Sequence, residues 1–393
     1  MEFYKKVLTE LKEQDLYRKL ISYQPLDAVH VELKGKTYLV LSTNNYLGLT
    51  HSPVVQQAAV NAVLRYGTGS GGARLTTGSH PLYESLEQDL AAFKGTEAAV
   101  VFNTGYMANV GAISSLAGKG DVIFSDELNH ASIIDGCRLS KAHTAVYRHA
   151  DMTDLAEKLR NTPCPGRRLI VTDGVFSMDG DIAPLDEIVE LGKVYQAMIM
   201  VDDAHAVGVL GQGGRGTVDH FGLKGKVQIQ MGTLSKSLAA EGGYVAGSQE
   251  LIAYLINKAR SFIFSTALSP ATVAAAQAAL GELKATPDLV HTLLDNAQYV
   301  RKGLAAAGVP VEGSLTPILP IMVGEAALAV EMVAQLKEKG ILVSAIRPPT
   351  VAPGTSRLRL TVSAAHDRKE LTQAVESIIV VSRKLKIIKE EGF

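Results

Sequence analysis

From Phe3 to Tyr23 apolar residues recur at helical spacing (Phe3, Val7, Leu8, Leu11, Leu16, Leu20) with charge between them, which predicts an amphipathic helix. Two short β-like runs follow, Val29–Leu33 and Thr37–Leu41, then a polar turn over Ser42–Asn45 and a helix after Pro53. Beyond Lys94 the pattern changes. Short apolar, β-branched runs alternate with helical stretches: Ala98–Phe102, Asp121–Phe124, Arg168–Thr172, Met198–Val201 and Val227–Met231. Repeated strand-then-helix units predict a mainly parallel α/β sheet covered by helices on both faces. Ligands of such sheets bind at the carboxyl ends of the strands, so functional residues should follow these runs directly. After the Ala-rich helix Pro270–Ala285, Thr286-Pro287 breaks the pattern. The remainder reads as a smaller α+β domain ending in a helix over Arg368–Lys389. This divides the chain into an N-terminal helix segment with short strands (1–45), a large domain (46–286) and a small C-terminal domain (287–393).

Charge removes several function classes. The 39 Lys and Arg nearly balance 40 Asp and Glu, with no basic block, so nothing provides the clustered cations that nucleic acid or an anionic membrane requires. Cys137 and Cys164 form neither a disulfide framework nor a Cys-x-x-Cys pair, which points to a reducing compartment without structural zinc. Met1–Leu20 lacks the apolar core of a signal peptide, and no apolar run reaches the roughly 18 residues of a spanning helix. The expectation is an unexported, cytoplasmic protein.

Gly67-Thr-Gly69-Ser-Gly-Gly72 satisfies the dinucleotide pattern G-x-G-x-x-G, but a helix precedes it and a polar segment follows, the reverse of the strand-then-helix context that the fingerprint needs. A tight glycine loop near a ligand or subunit contact suits it better. The P-loop lysine pattern, the G-x-S-x-G elbow and H-E-x-x-H are absent. Three strand ends carry chemistry. Gly105 opens a helix after Ala98–Phe102, where free N–H groups form a phosphate cradle, although most such turns are only turns. Asp202 and His205 follow Met198–Val201; they read either as a ligand-facing pair or as a helix cap at Asp203 beside a packed histidine. Lys236, among small residues after Val227–Met231, reads either as a desolvated nucleophilic amine or as a solvated loop lysine. A phosphate cradle, an acid with a histidine and a lysine together make up the set that pyridoxal phosphate (PLP) requires.

The chain resembles the α-oxoamine synthase family of PLP enzymes, of the large aminotransferase fold. The resemblance rests on Asn44-Asn-Tyr-Leu-Gly48, Gly67 to Gly78, Thr104-Gly-Tyr106, Asp126 to Asp135, Thr172 to Gly180, Val201-Asp-Asp-Ala-His205, Thr233-Leu-Ser-Lys236 and Arg347-Pro-Pro-Thr350. It implies a seven-stranded, mainly parallel sheet and a homodimer with shared active sites. It implies that Lys236 carries the cofactor and acts as base, that Asp202 pairs with the pyridine nitrogen and that His205, with Ser177, reaches the phenolic oxygen. His130 is expected to stack on the ring, with helix capping as its alternative role. Gly105, Tyr106 and Thr233 are expected at the phosphate, joined by Ser265 or Thr266 of a second subunit. For substrates it implies Arg359 and Asn44 at the carboxylate, and Arg18, on the first helix, with Thr350 on the acyl-donor side. Arg359 and Arg18 read alternatively as a surface strand arginine and a solvated helix arginine.

Within the family, Arg74-Leu-Thr-Thr-Gly-Ser79 and Thr233-Leu-Ser-Lys236 favour the branch that condenses L-alanine with a pimeloyl thioester, carried by coenzyme A or acyl-carrier protein, in biotin biosynthesis. Ala206-Val-Gly208 is shared with a glycine-using branch that takes acetyl-CoA, so that reaction, or dual specificity, is the alternative. A catalytically silent structural subunit would lack Lys236, and a nucleotide-binding module would use the Gly67 loop instead.

Overall fold

The computed structural model describes residues 2–13, 17–312 and 315–388. Seven strands form the main sheet in the spatial order Ala98–Phe102, Gly243–Gly247, Ile229–Thr233, Ala197–Asp202, Arg168–Asp173, Val122–Asp126 and His143–Tyr147. All neighbours run parallel except Gly243–Gly247, which is antiparallel to both of its partners. The five expected strands are present, several of them extended by one or two residues toward their carboxyl ends. Their side chains are buried on both faces, which explains the continuous apolar runs.

Two strands escaped the hydrophobic pattern. Gly243–Gly247 begins and ends in glycine, and His143–Tyr147 is an edge strand with alternating exposure. The helices Pro53–Tyr66 and Pro270–Ala285 begin at Pro after a serine cap and pack against each other. Their core includes Leu86, Leu90, Val273 and Leu280.

The first helix is shorter than its periodicity suggests. It spans Glu2–Glu13, buries no residue, and leaves Tyr17–Tyr23 non-helical; Leu16 lies outside the described residues. An isolated amphipathic segment with nothing to cover its apolar side gains little from continuing. Arg18 is therefore not on a helix. The final helix likewise ends at Lys384, and Lys389 lies outside the described residues.

Two small sheets complete the fold. Gln24–Pro25, His30–Leu33 and Lys36–Val40 are joined by Ile341–Leu342, while Ser356–Thr361 lies between Ile318–Gly324 and Ser344–Ile346. Backbone and side-chain bonds fasten 41–46 to 361–364: Thr361 N donates to Leu41 O (2.9 Å) and Ser363 Oγ to Asn45 O (2.8 Å). This stitching brings Asn44 and Tyr46 to the mouth of the main sheet. Among the described residues no helix is long and apolar enough to cross a membrane.

Candidate active site

A cavity of about 220 Å³ lies at the carboxyl edge of the main sheet. Gly105, Tyr106, His130, Ser177, Asp202, His205, Thr233 and Lys236 all line it, although they come from five separate segments of the chain. Asp173, Asp202 and Thr233 each end a strand; the parallel register sets Asp173 beside Asp202 and Asp202 beside Met231, two residues before Thr233.

The helix Gly105–Leu116 opens into this cavity. Thr104 caps it by accepting from Met107 N (3.0 Å), leaving the first-turn N–H groups of Gly105 and Tyr106 without an intrahelical acceptor. The backbone here is crowded: a Cβ on Gly243 would lie 2.6 Å from Gly105 Cα, and one on Gly105 would lie 3.1 Å from Met231 Cε. Only glycine lets strand and helix approach this closely, and the same bareness makes a cradle for an anion. Tyr106 is exposed, and its hydroxyl donates to Asp135.

Burial lowers the pKa of Lys236, Asp202 and Asp173 oppose that shift, and Arg359 reinforces it. Asp202 is 3% exposed and accepts from Asn109 Nδ2 (2.6 Å) and Ala204 N (2.8 Å). Burial, and then the nearby Asp202 carboxylate, push Asp173 well above the usual carboxylate range, while the His130 N–H and Lys236 pull it down.

His205 lies far below its usual pKa through burial and then through Lys236, Arg359 and His130, so it is a neutral imidazole at neutral pH. Its Nδ1 is 2.7 Å from the hydroxyl of Tyr46, a fully buried phenol whose pKa burial raises. Asn44 Oδ1, 3.4 Å from that hydroxyl, already accepts both terminal nitrogens of Arg359 at 3.3 Å. The phenol proton therefore goes to Nδ1, and His205 keeps its N–H on Nε2.

His130 does cap a helix, the one over Ala131–Ser140, with Nδ1 accepting from Ser132 N (3.2 Å). Capping and lining the cavity are compatible, because only one ring nitrogen is used. Partial burial lowers its pKa, against the pull of Asp202 and with the help of Lys236. Thr233 Oγ1 donates to Gly242 O (2.8 Å), which fixes the turn leading to Lys236.

The remaining expected residues do not line this cavity. Arg359 is 7% exposed; its Nε donates to the carbonyl of Ser177, a lining residue, and its terminal nitrogens to Asn44 Oδ1. It is not a surface strand arginine. Arg18 and Thr350 line a separate, open groove of about 700 Å³ with Leu8, Leu11, Tyr17 and Arg347. Ser265 and Thr266 lie outside the cavity; Thr266 bridges to Ala73, and its carbonyl accepts from Asn103 Nδ2 (2.6 Å). The Gly67–Gly72 stretch is a loop after a helix, not a strand-to-helix turn.

Sequence reasoning missed four contributors: Asp173, Asn109, Ser132 and Tyr46. Asp173 was findable, since it ends a strand at the ligand edge. The other three act through contacts between distant segments.

PLP fits this donor set. An amine of lowered pKa would suit its aldehyde, a buried carboxylate its pyridine nitrogen, an imidazole N–H its phenolic oxygen and a helix start its phosphate. Among the described residues no group of three or more His, Cys, Asp or Glu is placed to hold a metal ion.

Residues 36–378 match the model of aminotransferase class I and II. The chain belongs to that family. Among members of the aminotransferase class I and II family, it is 49% identical to the 8-amino-7-oxononanoate synthase of Lysinibacillus sphaericus over 98% of this chain and 99% of the relative. It is 50% identical to the enzyme of that name from Geobacter sulfurreducens, covering 97% of this chain and 98% of the other. The fold matches serine palmitoyltransferase from S. paucimobilis, solved with a bound PLP–myriocin aldimine, at TM-score 0.93 and 33% identity, covering 98% of each chain. The crystal structure of 8-amino-7-oxononanoate synthase from Francisella tularensis matches at TM-score 0.76 and 31% identity, over 88% of this chain and 98% of that one.

Proposed function

We propose that this protein is a PLP-dependent acyltransferase of biotin biosynthesis, condensing L-alanine with a pimeloyl thioester to give 8-amino-7-oxononanoate, CO2 and free thiol. The observation that carries the reading is one cavity holding Lys236, Asp202, His205 and His130 in a chain about half identical, over its whole length, to enzymes of that name.

When bound, PLP supplies an electron-accepting ring that stabilises negative charge at the α-carbon of an amino acid. The protein's own groups do the rest. Asp202 presents a carboxylate that holds a proton on its ring partner, and the lowered pKa of Lys236 leaves an amine able both to bond the cofactor and to take the α-proton. His205 donates from Nε2, Ser177 supports the same oxygen, and the flat His130 ring packs on the cofactor face. Gly105, Tyr106 and Thr233 hold the phosphate. Arg359 grips the substrate carboxylate through its fork, with Asn44 beside it. Arg18 and Thr350 receive the acyl carrier, coenzyme A or acyl-carrier protein.

Residues 46–286 act as the large domain and 287–393 as the small one, a division supported by the separate core of Leu319, Leu336, Leu358 and Ile378. The working unit is a homodimer. In support of this, Leu64, Leu75 and Phe264 are exposed large apolar residues, and the 70–79 loop is fastened to the segment carrying Ser265 and Thr266, through Ser70 Oγ to Ala267 O (2.9 Å) among others.

Thiol release tests the reaction. Cofactor-loaded protein is given pimeloyl-CoA or acetyl-CoA, each with L-alanine or glycine. Release confined to pimeloyl-CoA with L-alanine is expected; release chiefly from acetyl-CoA with glycine would replace the substrate assignment and leave the cofactor chemistry intact.

A further inference from the structure

Asn109 is a buried amide that the roles above do not use. It lies one turn beyond Gly105 on the same helix, is 1% exposed, and spends both of its N–H groups on groups around the cavity. One donates to Asp202 Oδ2 at 2.6 Å and the other to Ser132 Oγ at 2.9 Å. An ionised carboxylate only accepts, so the NH2 end must be the one facing Asp202, and Asn109 Oδ1 is left with no partner.

The chain of bonds continues from Ser132. With a lone pair of Ser132 Oγ occupied by the amide, the hydroxyl proton turns to His130 Nδ1, 2.7 Å away. The Ser132 backbone N–H points at the same nitrogen (3.2 Å), so Nδ1 can only accept and the ring proton sits on Nε2. Ser132 is fully buried, and the second oxygen of Asp202 is held by Ala204 N. In such low-dielectric surroundings a missing donor is costly, because water cannot replace it.

We propose that Asn109 is the positioning residue that ties the Asp202 carboxylate to the His130 ring, fixing the orientation of the carboxylate and, through the Ser132 hydroxyl, reinforcing the tautomer that the Ser132 N–H sets. The proposal rests on the cavity being the PLP site. Asp202 then meets the cofactor with its carboxylate already aligned, and His130 packs in one protonation form. Removing the amide frees the carboxylate and loosens the Ser132 hydroxyl that supports the ring.

The test measures PLP affinity by equilibrium dialysis and the pH dependence of the bound cofactor's visible absorbance. Wild type is the control for the site itself: if it binds no PLP, the functional reading fails and not this inference. Asn109→Leu keeps the volume and removes both donors; it is expected to weaken PLP binding by at least ~10-fold and to move the absorbance midpoint. Asn109→Asp has nearly the same shape but places a second carboxylate against Asp202. Its binding should be weak at neutral pH and recover on acidification, when the two carboxylates share a proton, a response that loss of packing does not give. Ser132→Ala spares the Asp202 donor and should move the absorbance midpoint with a smaller loss of affinity. Circular dichroism and melting of the cofactor-free variants establish that they fold. Folded Asn109→Leu and Asn109→Asp proteins that bind PLP as wild type does, or an Asn109→Asp protein whose weak binding does not recover in acid, would overturn the proposal. An unchanged absorbance profile in Ser132→Ala would overturn the part of the proposal that runs through the Ser132 hydroxyl to His130.

Discussion

The cavity and the groove beside it are built in opposite ways. The cavity is small, about 220 Å³, and its charged groups are fixed by bonds among strand ends and helix starts. The groove is about 700 Å³ and is lined by exposed Arg18 and Thr350 on irregular segments, with the first helix lying over it unburied. The difference separates two tasks. Perturbing the pKa of an amine needs low dielectric and fixed neighbours, whereas the acyl-carrier role proposed for the groove needs only an accessible surface with a cation.

The same contrast holds between adjacent residues. Asp202 faces the cavity, while Asp203 turns away into a fully buried ion pair with Lys94 (2.6 Å), where Lys94 Nζ also donates to Arg215 O (2.5 Å) and Asp203 accepts from Thr217 N. Asp203 is not a helix cap. It forms a buried floor under the turn that carries Asp202 and His205.

Substitutions at these places should differ in size and kind. Lys236→Ala is expected to have the largest effect, lowering turnover by roughly 10³-fold or more and abolishing covalent retention of the cofactor, as read by thiol release and absorbance. Lys94→Met leaves the Asp203 carboxylate buried and unpaired, which should cost about 3–5 kcal/mol in urea unfolding. A loss below ~1 kcal/mol there would mean that water or a rearrangement relieves the charge, and the floor would be less rigid than described.

A third effect is pH-dependent. His149 bridges Asp126 (3.0 Å) and Asp181 (2.9 Å), and against the cost of burial these bonds raise its pKa to about 10. A group whose pKa is raised on folding stabilises the protein fully below its unfolded value, about 6.5, and loses that contribution as pH rises toward 10. The melting temperature should therefore fall across that window, and His149→Gln should flatten the fall, because glutamine does not titrate. The smallest effect belongs to the groove: Arg18→Ala should raise KM for the thioester about 3- to 10-fold and leave kcat nearly unchanged. Loss of kcat instead would make Arg18 part of the reacting centre and erase the contrast.

What could be read in the sequence follows the same divide. Ala98–Phe102, Pro53–Tyr66 and Pro270–Ala285 appear with the boundaries their patterns indicate, since burial on both faces, proline starts and serine caps are local signals. Asp202, His205 and Lys236 were legible because strand ends mark the ligand edge. Gly243–Gly247 was not, because it carries two glycines and one of its antiparallel neighbours, Ala98–Phe102, is remote in sequence. Arg18 was assigned to a helix because periodicity continues past Glu13, although no partner surface rewards it there. Tyr46 meets His205 159 positions away, and Asn109 meets Asp202 across 93, so no local pattern announces either.

Among the described residues Lys236 is the one lysine lining the cavity. Borohydride reduction of PLP-loaded protein, digestion and mass spectrometry would locate the attachment directly. The pyridoxyl group is expected on the peptide containing Lys236, with none there in Lys236→Ala; stable attachment at another lysine, or none in the wild type, would contradict the proposed role of Lys236.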